Sequence, residues 1–162
     1  MSANKQLNQI QISVPKKNNF DLTHDVKLTS DMGELTPVLN MEVIPGDEIS
    51  IGCDTLLRFQ PLIAPVMHRM DVFVHYFFVP NRILWNNWEK FISGDDTVAA
   101  PYITIPNTIS ATKERYLSYF GIPKPSNVPG AIGSLDVNAL PFAAYNKIYN
   151  EYYRDQNLTH RS

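Results

Sequence analysis

Residues 45–88 read PGDEISIGCDTLLRFQPLIAPVMHRMDVFVHYFFVPNRILWNNW, and this stretch decides the fold class. Its first part alternates. Ile49, Ile51, Cys53, Leu57 and Phe59 fall on one side of an extended chain, with Glu48, Ser50, Asp54 and Arg58 on the other. A period of two is the mark of a half-buried strand. Pro45-Gly46-Asp47 ahead of it is a turn, because Pro fixes φ and Gly supplies a positive φ. Pro61 and Pro65 bend the chain. Asp71 to Val79 is then apolar on both faces, with Val72, Val74, Tyr76 and Phe78 against Phe73, Phe77 and Val79. Such a strand is expected at a sheet centre or under a second layer. Cys53 is expected as a small core residue and His75 as a hydrogen-bonded core histidine. Pro80 ends the strand, and Asn81 is the expected N-cap of an amphipathic helix. On it Leu84, Trp85, Trp88, Phe91 and Ile92 recur at three- and four-residue spacing, and Gly94 closes it.

Toward the N-terminus two more strands are expected. Leu22, His24, Val26 and Leu28 alternate with Thr23, Asp25, Lys27 and Thr29, and Asp31-Met32-Gly33 breaks the run. Residues 35–44 alternate again, with Pro37 marking an edge or a bulge. Residues 1–19 are polar and read as a flexible arm whose positive charge comes from Lys5, Lys16 and Lys17. Toward the C-terminus the sequence predicts a short extended piece at Tyr102–Ile105. A helix follows over Lys113–Phe120, capped by Ser110 and closed by Gly121. A long Pro/Gly excursion occupies 121–135, and a last helix runs from about Pro141 to Tyr153. The expected division is an arm (1–19), a strand region (20–80) and a helical and loop region (81–162). Four strands cannot close a barrel, so either the chain is a fragment or partners complete its sheets.

Composition narrows the function. The chain has 162 residues, 44% hydrophobic and 19% charged, which excludes wholesale disorder and permits a core. A formal charge of −2 supplies no bulk attraction for nucleic acid. One cysteine allows no internal disulfide and no cysteine metal cluster. No signal peptide and no apolar run of membrane length is visible, so a soluble chain from a reducing compartment is expected. The four histidines show no HxH or HExxH spacing, and no GxSxG, GxxxxGK[ST] or GxGxxG occurs. Asp25, Asp31 and Glu34 lack the spacing of a calcium loop. No metal, cofactor or enzyme activity is expected.

Three segments carry a resemblance. FDLTHDVKLTSDMGELTPVLNMEVIPGD, LLRFQPLIAPVMHRMDVFVHYFFVPNRILWNNWEKFISG and LPFAAYNKIYNEYYRDQNL are similar to the N-terminal part of the major capsid protein of microviruses, nearest to the gokushovirus branch. The order VMH, HYFFVPNR, W-x-x-W-E and YRDQNL is specific, although each alone is weak. The resemblance covers roughly residues 15–160 and implies a mainly β fold. That fold is a viral jelly roll (a β-sandwich), incomplete here, with short helices in loop insertions. It implies a subunit of a T=1 icosahedral phage capsid that self-assembles as a homo-oligomer, meets packaged single-stranded DNA and other virion proteins, and involves no membrane. Localisation would be the virion, assembled in the bacterial host cytoplasm. Trp85, Trp88, Phe91, Tyr116, Tyr119, Tyr149 and Tyr152 are the candidate packing or interface anchors. Lys5, Lys16 and Lys17 are candidate genome contacts. Two other readings stay open: a β-sandwich binding module, lectin- or receptor-binding-like, using loop 95–135, and a cupin-like metal protein, for which only His24 and His75 fall on strands.

Overall fold

The computed structural model describes residues 17–61, 63–64, 67–128 and 133–160. Lys5 and Lys16 lie outside them. Two halves of different character emerge. The described residues of 20–80 carry neither helix nor paired strand, while residues 81–160 hold all the described helices and paired strands.

The four expected strands at 22–30, 35–44, 47–59 and 71–79 are extended, yet none forms a ladder with another among the described residues. Only local turns close within them, Glu34 N to Asp31 O at 3.3 Å and Asp47 N to Ile44 O at 3.1 Å. A strand is stabilised by cross-strand pairs and by burial of one face. Both are missing here, so period-two patterning gives extended backbone and no sheet. Apolar side chains therefore stand in solvent: Phe73 is 76% exposed and Phe78 75%. Cys53 and His75, expected in a core, are both exposed for the same reason.

The paired sheet is a ribbon of β1 (Tyr102–Pro106) and antiparallel β2 (Ser134–Asn138). Ile105 opposes Leu135 and Ile103 opposes Val137 on the apolar face, where Ile105 is buried. On the other face Thr104 donates to Asp136 at 2.6 Å. β2 begins in the last two residues of the stretch read as a Pro/Gly excursion, 121–135, and runs past it. Its two apolar residues gave too short a pattern to stand out, and β1 supplies the partner that makes it a strand.

The helix expected from Asn81 breaks into α1 (Asn81–Leu84) and α2 (Trp88–Ile92), with Pro80, not Asn81, in the capping position. Trp85 is extended at φ −143° and ψ 117°, followed by Asn86 and Asn87, which favour turns over helix interiors. Gly94 closes α2 with φ +84°; the amides of Gly94 and Asp95 bond back to Phe91 and Lys90 at 3.1 Å each. α3 (Ala111–Tyr119) begins at Ser110, whose hydroxyl accepts from the Lys113 amide at 3.4 Å. α4 (Leu140–Ile148) carries Pro141 in its first turn, where a missing amide costs nothing. It widens into a π-helical turn at Tyr149–Tyr153, closed by Arg154 N to Tyr149 O at 2.8 Å. α3 and α4 are joined by Phe120, whose ring lies 4.6 Å from Phe142 and 5.9 Å from Tyr145.

Candidate assembly surface

The helical half grips the extended half at two main places, besides a bond from Asn138 Nδ2 to Glu42 Oε1 at 3.4 Å. The first is the turn Thr29–Leu35, reached by α3 and α4. Arg115 donates to Asp31 Oδ2 at 3.0 Å and to Glu34 Oε1 at 2.8 Å. The Tyr116 hydroxyl donates to the same Glu34 oxygen at 3.1 Å. Two more phenols donate to backbone carbonyls: Tyr119 to Thr29 at 2.6 Å and Tyr145 to Leu35 at 2.7 Å. Residues three and four apart on a helix are neighbours, so Tyr119 lies beside both Tyr116 and Arg115 on α3, and the three reach one turn. The Asp31 amide, aided by Tyr116, Arg115 and Ser30, holds the Glu34 carboxyl below its ordinary range against partial desolvation. Glu34 in turn raises the Tyr116 phenol, and burial raises that of Tyr145, so both remain donors. The acidic group considered for calcium already has a cation, the Arg115 guanidinium, on Asp31 and Glu34. A groove of about 420 Å³ lies beside the clamp, lined by Val26–Thr29, Arg115, Ser118 and Tyr119.

The second grip is on residues 71–79. The π-helical turn points Tyr152 at Phe77, with ring centroids 4.9 Å apart, and stacks Tyr153 on His75 at 5.9 Å. The His75 Nδ1 and the Tyr153 hydroxyl share a hydrogen bond. His75 is thus hydrogen-bonded as expected, on an open surface. The odd-numbered face of 71–79 meets the helical half. The even-numbered face carries Tyr76, whose phenol is raised by partial desolvation and by the neighbouring Cys53. Tyr76 thus lies beside Cys53, and Val72, Val74, Tyr76, Phe78, Ile49 and Ile51 are all exposed.

The expected anchors distribute across these features. Trp85 and Trp88 are half-buried and pair with Phe91 at 5.5 and 6.1 Å. Tyr116 and Tyr119 sit in the clamp, and Tyr119 is buried. Tyr149 is half-buried in the π-helical turn, and Tyr152 is 67% exposed against Phe77. Lys17 is exposed. The roles of Arg115, Phe120 and Tyr153 escaped the sequence reading. Tyr145 was legible on the apolar face of its helix, but its target, a carbonyl 110 residues away, was not.

Among the described residues no group of His, Cys, Asp and Glu could hold a metal ion, and no helix is long and apolar enough to cross a membrane. What the described residues offer is surface: exposed apolar side chains along residues 20–80 and clustered aromatic rings. A family model described as capsid protein (F protein) matches residues 8–162, and the chain belongs to this phage capsid protein family. It is 36% identical to capsid protein VP1 of Chlamydia phage 1, over 94% of this chain and 26% of the relative. It is 38% identical to capsid protein VP1 of Bdellovibrio phage phiMH2K, over 88% of this chain, and 32% identical to that of Spiroplasma virus 4, also over 88%. The chain spans about a quarter of the length of these relatives, 26% in each case. Their names describe a structural role and not a catalytic one, and they match the microvirus resemblance carried by the sequence motifs.

Proposed function

We propose that this chain is the early-strand portion of a structural subunit of a small T=1 icosahedral capsid enclosing single-stranded DNA. One observation carries the reading: four extended segments with strand patterning expose their apolar residues and lack ladder partners. The chain presents 15055 Å² to solvent. A compact chain of this mass would present roughly 8,200 Å². Extended segments of this kind are consistent with the first strands of a jelly roll, completed by strands that lie elsewhere in the shell protein. Assembly then buries apolar and aromatic surface between symmetry-related copies, with standard contacts of about 1,600 Å² repeated around the shell. Trp85, Trp88, Phe91, Tyr149 and Tyr152 serve as anchors near these surfaces. Lys5, Lys16 and Lys17 meet the packaged genome through phosphate contacts blind to sequence. The chain resides in the virion and assembles in the host cytoplasm.

Electron microscopy of the purified chain, with and without single-stranded DNA, tests this. Oligomers that bury the open apolar faces are expected. A stable, discrete monomer that binds a glycan or a receptor fragment would overturn the proposal in favour of a binding module.

A further inference from the structure

The turn Thr29–Leu35 is held from outside. Between the segments on either side of it, residues 20–28 and 36–44, no backbone hydrogen bond is formed; the turn closes locally, through Glu34 N to Asp31 O at 3.3 Å, the Asp31 amide and Ser30 hydroxyl to Glu34 Oε2 at 3.3 Å each, and the Ser30 and Thr36 hydroxyls 2.6 Å apart. These bonds lie within residues 30–36 and leave the direction of the arms beyond them unset. Arg115 and Tyr116 grip the turn's carboxylates, while Tyr119 and Tyr145 grip the carbonyls at its two ends. The four side chains sit on two helices locked together by Phe120.

We infer that Arg115, Tyr116, Tyr119 and Tyr145 form a positioning site that sets the direction of the two extended segments before any sheet forms. Backbone entropy opposes strand pairing, and a segment already aligned has less of it to lose when its partner arrives. The role of the partner strands rests on the capsid reading; the preset geometry does not.

The test is made on the 162-residue chain with Cys53→Ser, by distance measurement between paired nitroxide labels. Lys113→Cys on α3 is paired with Asp25→Cys on one arm or Val38→Cys on the other. A control pair, Lys113→Cys with Asn146→Cys, lies within the helical half. Each arm pair is expected to give one narrow distance distribution. In Tyr119→Phe/Tyr145→Phe the arm distributions are expected to broaden by on the order of two-fold while the control stays narrow. If the control also broadens, Tyr119→Phe alone decides the matter by the same comparison. Arm distributions already broad without the Phe substitutions, or unchanged by them, would overturn the inference. Neither result depends on whether the chain forms shells, so it fails or stands apart from the capsid reading.

Discussion

Phe120 should be the residue on which the helical half depends most. It is half-buried and touches both Phe142 and Tyr145, at 4.6 and 5.9 Å between ring centroids. Truncating a fully buried Phe to Ala costs about 3–5 kcal/mol. Half burial reduces that to about 2 kcal/mol, and two partly exposed aromatic pairs add about 1 kcal/mol at the low end of their range. The expected loss for Phe120→Ala is therefore about 3 kcal/mol. For a helical unit of this size, about 5 °C per kcal/mol gives a fall in Tm near 15 °C. Phe120→Leu keeps most of the volume and should lose about 1 kcal/mol. Urea and thermal unfolding followed by far-ultraviolet circular dichroism reads both. A loss below about 0.5 kcal/mol for Phe120→Ala would refute the view that this ring joins α3 to α4.

Acid should loosen the turn clamp. The Glu34 carboxyl is held below its ordinary 4.5 in the folded chain, so its charge contributes stability that is present above that value. That contribution is lost as pH falls through the lower folded value, and Glu34→Gln should remove this acid dependence from a Tm profile. Gly121 ends α3 at φ +73° with open space around it, so Gly121→Ala should cost about 1 kcal/mol from backbone strain alone. Gly52→Ala, at a residue without positive φ, should cost nothing measurable in the same melts. The Cys53 thiol is exposed, so Ellman's reagent should label the native chain as fully as the urea-unfolded one, and labelling should fall in any assembled particle.

Much of the helical half was legible because its signals are local. Ser110, Gly94, Gly121 and Pro141 stand where caps, closures and first turns place such residues, and α3 and α4 follow from them. The break at Trp85 was hidden by a continuous apolar spacing that ran through it. The strand region was legible in backbone conformation and not in pairing. Ile49, Ile51, Val72 and Val74 encode extended chain and an apolar face, but a ladder is a property of two segments, and one segment's pattern cannot name its partner. The clamp was invisible for a related reason. Arg115 and Tyr145 look like ordinary helix residues until the turn they hold, 81 to 110 positions earlier, is folded against them.

Sedimentation velocity of the purified 162-residue chain across a range of concentrations tests the central claim most directly. Unpaired strands and open apolar faces predict species heavier than 18.4 kDa whose share grows with concentration. A single compact monomer of 18.4 kDa at every concentration, with a radius of gyration near 15 Å, would contradict it.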